Sequence, residues 1–182
     1  ENGRYFMQIP NYSFEEYKDE ETIEELLTAL SLFSSSIDSD TPMLLCESGY
    51  LFIYIKHLKD LGKLKPDYAA LKYLCSSGKG FNSVVAFTLE TNDENSFAHL
   101  RFFAPAFGIN EDIVTGSANG PLLLALNKLG FIKENEKSDH FVFEQGDFLN
   151  RPGRVTVYLT KDDGELYIAG DAVTVLNGEL VY

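Results

Sequence analysis

The chain has 182 residues, of which 45% are hydrophobic and 13% aromatic, and this composition is enough to bury one ordinary core. It carries 15 Lys and Arg against 28 Asp and Glu, so that its net charge is -13, and such a surface repels the phosphates of nucleic acids and of anionic membranes. No apolar run approaches the roughly 20 residues that span a bilayer, and we therefore exclude nucleic-acid binding and membrane insertion as main roles.

Cysteine and histidine are sparse. The two cysteines, Cys46 and Cys75, are too few for a disulfide framework and stand beside apolar residues. This pattern is typical of buried thiols in a reducing compartment, and we expect a cytoplasmic protein. The three histidines, His57, His99 and His140, are far apart in the sequence, and no group of cysteines and histidines has the spacing of a zinc site.

The first half of the chain alternates strand-like runs with residues at helical spacing. Its opening strand has no obvious partner nearby, which indicates that the chain begins in the middle of something longer. We predict a strand at 1–10, a linker at 11–20, a helix at 20–32, a hairpin formed by 43–46 and 50–55, and a helix that opens at 64–67 with Pro66 in its first turn and closes at Gly78.

The second half is richer in strands and contains the most apolar helix of the chain, at 122–129. An irregular segment, 104–118, leads into this helix, and Gly130 ends it. We predict strands at 83–89, 97–103, 140–144, 154–160, 165–169 and 171–176.

Many strands and one helix that is apolar nearly all round indicate a closed or nearly closed sheet wrapped around that helix. We predict an α+β fold in which this sheet is an antiparallel β barrel. We expect residues 117–130 to be mostly helical and largely buried. Antiparallel strands from the hairpin, from 83–103 and from 140–176 should surround them. Burial of Leu123 and Leu126 is the test of this prediction.

The segment that precedes this helix carries the chemistry. A strand feeds two adjacent carboxylates, Glu111 and Asp112, and the turn Thr115-Gly116-Ser117-Ala118 follows. Such a turn at a helix start presents several backbone N–H groups together, and the helix dipole adds positive charge, so a carboxylate or phosphate can bind there. In the simpler alternative, Thr115 or Ser117 only caps the helix and the two carboxylates are solvated loop residues.

The segment from Arg101 to Ala118 resembles the PhzF family, in which Arg-x-Phe-x-Pro precedes Gly-x-x-Glu-Asp-Pro-x-Thr-Gly-Ser-Ala and a helix. Three further strings resemble this family in its order: Leu64-x-Pro66-Asp67-x-x-x-Leu71, Glu144-Gln145-Gly146-x-x-x-x-Arg151-Pro152 and Ile168-Ala169-Gly170-Asp171-Ala172-Val173-x-Val175-x-x-Gly178. Together they cover most of the chain, which is similar to the C-terminal half of a PhzF-like isomerase of the diaminopimelate-epimerase superfamily.

The resemblance implies two similar lobes, each a β barrel around a central helix, with both helix N-termini facing one cleft. It implies a cofactor-independent isomerase that moves a proton on a small carboxylated metabolite, and it allows a homodimer. Asp112 and Ser117 would line the cleft as catalytic residues. Thr115, Gly116 and Ala118 would bind the substrate.

Three positions depart from the family pattern or decide between its branches. Ile113 replaces the proline that follows Glu-Asp, which loosens the loop. Pro121 stands inside the expected helix, so we predict that the regular helix begins near Gly120 and that residues 115–119 form a separate turn. Thr115 stands where two-thiol racemases of the superfamily carry a cysteine, and this favours carboxylate-based chemistry.

The first lobe of the family, with its catalytic glutamate, has no counterpart here. We therefore expect residues 1–10 to be the last strand of a missing N-terminal lobe, 11–178 the C-terminal lobe, and 179–182 a tail that returns to the missing lobe. The missing lobe, or a complementary chain, would be the main partner, and the chain alone should be inactive, expose an apolar face and self-associate. The alternative is a non-catalytic ligand-binding or interaction domain that keeps the fold.

Overall fold

Ten strands and four helices lie within residues 3–133, 140–160 and 164–179, which a computed structural model of the chain describes. The strands are β1 (Arg4–Ile9), β2 (Phe14–Glu16), β3 (Leu44–Cys46), β4 (Tyr50–Tyr54), β5 (Ser83–Thr88), β6 (Ala98–Ala104), β7 (Ile109–Asp112), β8 (His140–Gln145), β9 (Gly153–Leu159) and β10 (Leu166–Asp171). The helices are α1 (Glu20–Ala29), α2 (Leu58–Lys63), α3 (Tyr68–Ser76) and α4 (Gly116–Lys128). Of these described helices, none has the length and apolar character that crossing a membrane requires.

All ten strands form one mixed sheet in the order β1-β10-β9-β8-β6-β5-β4-β3-β2, with β7 paired to β6. The predicted antiparallel barrel is wrong in two respects. The pairs β4/β5 and β6/β8 are parallel, and β1 and β2 are left at the two ends of the strand order, so the described strands do not close. Parallel neighbours need long crossover connections, which the chain supplies as α2 with α3 and as β7 with α4.

The sheet separates two hydrophobic cores. Phe52 and Phe143 belong to the inner core together with the leucines of α4, whereas Leu51 and Ile53 belong to the outer core under α1, α2 and α3. Alternate residues of β4 therefore point into opposite cores. This explains why the central strands are continuous apolar runs rather than alternating patterns.

The central helix is buried as predicted. Leu123 and Leu126 are 1% and 0% exposed, and α4 contacts β1, β4, β9 and β10. The helix is apolar on nearly all sides because the sheet curves around it.

The start of α4 differs from the prediction of a regular helix from Gly120. The N–H groups of Ala118 and Asn119 both donate to the carbonyl of Thr115, at 3.1 and 3.0 Å. Residues 116–119 therefore form the first turn of α4. Pro121 consequently lies inside α4. It costs the helix one hydrogen bond, because proline has no N–H to donate to the carbonyl four residues earlier.

Three further elements of the first half differ from the prediction. The expected linker 11–20 contains β2, which pairs with β3, and α2 was not predicted. Helix α3 begins at Tyr68, after Pro66 rather than around it. The side chain of Asp67 accepts hydrogen bonds from the N–H groups of two residues in the first turn, at 3.0 and 3.1 Å, and aspartate is one of the strongest helix caps.

The chain ends also differ from expectation. β1 has a partner within the chain, since it pairs with β10 in an antiparallel register from Arg4↔Asp171 to Ile9↔Leu166. Its side chains nevertheless remain open to solvent except that of Ile9, and Tyr5, Phe6 and Met7 are 64%, 54% and 54% exposed. Two strands were predicted, at 165–169 and 171–176, but the structure has the single strand β10, which ends at Asp171, and residues 172–176 are not in a strand. Most of the predicted tail, residues 180–182, lies outside the described residues.

Candidate functional site

Asp112 lies at the end of β7, opposite Phe102 of the central strand β6. Its carboxylate accepts a hydrogen bond from the hydroxyl of Thr115 at 2.5 Å and one from the N–H of Ile113 at 2.9 Å. The side chain is half-buried. These two bonds hold the carboxylate against the turn that opens α4, and no arginine of the described chain pairs with it.

A buried amide, Gln145 at the end of β8, fixes this turn. Its Oε1 accepts from the N–H of Thr115 and from the side chain of Asn119, both at 2.9 Å. Its Nε2 donates to the carbonyl of Asp112 at 3.0 Å and to the hydroxyl of Thr115 at 3.1 Å. Gln145 and Asn119 were not predicted as site residues, although Gln145 belongs to a family-like string. Nothing in the local pattern shows that β8 reaches the turn.

These bonds decide which backbone donors of the turn are available. The N–H of Thr115 is used by Gln145, and that of Ala118 by the carbonyl of Thr115. Within the described residues, no acceptor contacts the N–H groups of Gly116 and Ser117. Thr115 occupies the N-cap position but its side chain makes no capping bond, so its hydroxyl serves Asp112 instead.

The two residues with available N–H groups differ in their surroundings. Ser117 is exposed, and its hydroxyl oxygen lies 3.2 Å from that of Tyr50. Gly116 is half-buried, and a Cβ atom at this position would collide with the end of the Ile168 side chain. A side chain at Gly116 would therefore force the end of the Ile168 side chain to move.

A cleft of about 430 Å³ opens beside Gly116, between the helix start and the outer strands β1, β9 and β10. Its walls are mostly apolar. Residues that line it are Tyr5, Phe6, Met7, Val114, Gly153 and Ile168. The cleft is thus bounded by the same β1 side chains that remain open to solvent.

Glu111, the carboxylate next to Asp112, has a structural partner. Arg101 donates two hydrogen bonds to it, both at 2.7 Å, and two more to the carbonyls of Leu61 and Leu64 at 3.1 Å. Both charged side chains are less than 10% exposed. The alternative that this residue is a solvated part of the loop is therefore wrong, and the ion pair ties β7 to β6 and α2.

A second buried charge cluster lies behind the site. It is formed by His99, Glu144 and Asp147. Each of these residues has one nitrogen or oxygen atom that could bind a metal ion, and the three atoms lie within 4.8 Å of one another. The oxygens of the two carboxylates already have hydrogen-bond donors. Arg154 contacts both carboxylates at 3.0 to 3.3 Å, and the N–H groups of residues 92–93 donate to Glu144 at 2.8 Å. The cluster therefore works as a charge network that anchors the end of β8.

His99 should make folding sensitive to mildly acidic pH. Burial lowers the pKa of His99, while the two nearby carboxylates oppose this effect. Nδ1 lies 2.8 Å from an oxygen of Glu144, without the geometry of a good hydrogen bond. Below the ordinary pKa of about 6.5, the unfolded chain takes up a proton that the folded chain refuses, so stability is present above that pH and is lost as the pH falls.

We expect the melting temperature of the chain to fall between pH 7 and pH 5 and to fall less in His99→Gln. Thermal unfolding measured in steps across this range tests the prediction. His57→Gln is the matched control, because His57 is exposed and pairs with Glu90 on the surface. A slope that is the same in all three proteins would show that His99 is not the group that titrates.

The cysteines do not form a reactive pair. Cys46 on β3 and Cys75 on α3 are both free and buried, as predicted. Burial raises the pKa of both thiols, and that of Cys75 to about 11. Thiols that stay protonated at neutral pH are poor bases, so neither of these cysteines is suited to proton abstraction.

The chain is similar to known proteins both in sequence and in structure. A family model described as phenazine biosynthesis-like protein, PhzC-PhzF, matches residues 1–178. An uncharacterised isomerase of Clostridium acetobutylicum is 36% identical over an alignment of 168 positions that covers 90% of this chain and 55% of that protein. The trans-2,3-dihydro-3-hydroxyanthranilate isomerase of Pseudomonas fluorescens is 28% identical over an alignment of 171 positions that covers 86% of this chain and 52% of that protein.

Solved structures agree with these relatives. The crystal structure of a PhzF-family phenazine biosynthesis protein from Bacillus anthracis superimposes with a TM-score of 0.79 at 27% identity, over 98% of this chain and 61% of that one. The chain spans about half the length of the curated relatives it matches. Nearly half of each of these two relatives lies outside the part that matches this chain.

Proposed function

Because the chain belongs to the phenazine biosynthesis-like PhzC-PhzF family, we propose that it carries the C-terminal half-site of a cofactor-independent isomerase. The reaction is proton transfer on a small carboxylated metabolite. The observation that supports it best is the arrangement of Asp112 beside a helix start whose Gly116 and Ser117 N–H groups have no described acceptor.

Each residue of the half-site has a distinct task. The N–H groups of Gly116 and Ser117, with the Ser117 hydroxyl, donate to the substrate carboxylate, where the dipole of α4 favours negative charge. Asp112 holds or moves a proton at the reacting carbon. Thr115 and Gln145 position the carboxylate of Asp112. The hydroxyl of Thr115 donates to that carboxylate, and the side chain of Gln145 donates to the backbone carbonyl of Asp112.

We also propose that a first lobe outside this sequence supplies a glutamate, which shares the acid–base work of the proton transfer with Asp112. Two observations support such a lobe. The relatives are about twice as long as this chain, and the cleft beside Gly116 is walled by exposed apolar side chains of β1. This lobe would cover them. Without it the chain is expected to be inactive, and whether the assembled protein forms a homodimer is a separate proposal.

Replacing Ser117 with alanine should mainly weaken substrate binding. Loss of one charge-assisted hydrogen bond costs about 1.5–3 kcal/mol, so KM should rise while kcat changes less. The measurement is steady-state kinetics of the two-lobed protein. The first compound to try is trans-2,3-dihydro-3-hydroxyanthranilate, because one relative is named as its isomerase.

Ser77→Ala is the matched control, since Ser77 is exposed at the end of α3 and its hydroxyl donates only to a local carbonyl. If Ser117→Ala and Ser77→Ala both leave KM unchanged, the Ser117 hydroxyl does not donate to the substrate. If the two-lobed protein turns over no carboxylated compound but binds one, the non-catalytic alternative replaces the isomerase.

A further inference from the structure

Tyr50 stands beside the proposed site without belonging to any of the strings that identified it. It is the first residue of β4, far from α4 in sequence, and its hydroxyl oxygen lies 3.2 Å from that of Ser117. The side chain is half-buried. A phenol hydroxyl therefore reaches the residue whose N–H group opens the helix start.

An aromatic contact with the central strand holds this ring in place. It packs edge-on against Phe102, with ring centroids 5.2 Å apart and an interplanar angle of 69°. Phe102 is also the residue that faces Asp112 across the β6/β7 ladder. One aromatic side chain of the central strand thus adjoins both Tyr50 and the strand that carries Asp112.

The backbone before Tyr50 is equally constrained. Gly49 adopts a φ of +85° in the tight turn between β3 and β4, a conformation that favours glycine. Its N–H donates to the carbonyl of Cys46 and its own carbonyl accepts from the N–H of Asn82, both at 2.8 Å. Because β4 starts from a fixed turn, the Tyr50 hydroxyl is presented with little freedom.

We propose that Tyr50 is a specificity-determining residue that donates a hydrogen bond to the substrate carboxylate held by Gly116 and Ser117. In the free protein one of the two hydroxyls donates to the other. When a carboxylate binds, both hydroxyls can turn and donate to its oxygens, one each. A carboxamide is uncharged and offers only one acceptor oxygen to the two N–H groups and the two hydroxyls, and the N–H groups cannot accept from its N–H₂. The hydroxyl pair therefore adds most to the binding of a carboxylate, whose second oxygen also accepts.

This inference rests on the proposed function, because it takes the carboxylate to bind at the start of α4. The test uses the chain itself and two probes of nearly the same shape, benzoate and benzamide. Amide chemical shifts of Gly116 and Ser117 are followed by NMR during each titration. In Tyr50→Phe we expect the Kd for benzoate to rise about tenfold or more, while binding of benzamide changes little.

Tyr54→Phe is the control from the same strand, since Tyr54 is also half-buried and packs on Phe87 and Phe131. Equal benzoate affinity in Tyr50→Phe and the unchanged chain would overturn the role of Tyr50 and leave the carboxylate site standing. Equal weakening of both probes, together with a lower melting temperature, would make Tyr50 structural and also overturn it. Absence of benzoate-induced shifts at Gly116 and Ser117 in the unchanged chain would contradict the carboxylate site itself.

Discussion

Replacing Asp112 with asparagine should lower the turnover of the two-lobed protein by about 10²–10⁴-fold, the range expected when an acid–base group is lost. Asparagine keeps the shape of the side chain and one acceptor oxygen for the N–H of Ile113. The hydroxyl of Thr115 loses a charged acceptor, but it can rotate to accept from the new amide. The folded state should therefore lose no more than about 1 kcal/mol.

The measurement pairs kcat with thermal unfolding of the same preparations. Asp38→Asn is a close control, because Asp38 accepts from the hydroxyl of Thr41, three residues later, as Asp112 does from Thr115. It lies outside the proposed site. If Asp112→Asn retains full turnover, or loses it only because the protein unfolds, Asp112 is not an acid–base group.

Replacing Arg101 with alanine should lower the free energy of unfolding by about 3–5 kcal/mol, the usual cost of removing one partner of a buried ion pair. The buried carboxylate of Glu111 would lose two hydrogen bonds of 2.7 Å, and the carbonyls of Leu61 and Leu64 would each lose a donor. Because Glu111 precedes Asp112, the loop that carries the proposed catalytic carboxylate should also become less ordered.

Urea unfolding of the 182-residue chain measures this loss. Arg154→Ala provides the comparison. The Arg154 side chain is 32% exposed, and its partner Glu144 keeps two backbone donors after the change, so a smaller loss is expected. If Arg101→Ala costs less than about 1 kcal/mol, as exposed pairs do, the ion pair does not hold β7 in place.

The parts of the fold that follow from local patterns were predictable. The leucines of α4 make the helix apolar on nearly every side, and such a helix is stable only when it is buried. The hairpin of β3 and β4 is marked by short apolar runs around Gly49, and that residue indeed takes the positive φ that a tight turn requires. The turn before α4 was identified as the site because its residues are adjacent in the sequence.

What could not be predicted depends on contacts between distant segments. Whether β4 pairs in parallel with β5 is decided by where α2 and α3 pack, and a run that is buried on both faces has no alternation to reveal its neighbours. Gln145 and Tyr50 reach the helix start from β8 and β4, and Arg101 selects Glu111 rather than Asp112. The start of α4 was misplaced because the cost of Pro121 was judged from the helix alone, whereas burial of the whole segment outweighs one missing hydrogen bond.

The most direct test of the carboxylate half-site is a crystal structure of the two-lobed protein with 3-hydroxyanthranilate bound. This stable aromatic compound carries the carboxylate of the substrate named for one relative. We predict its carboxylate oxygens within about 3 Å of the N–H groups of Gly116 and Ser117, with Asp112 facing the ring. A ligand bound elsewhere while this turn stays in contact only with solvent would contradict the proposed site.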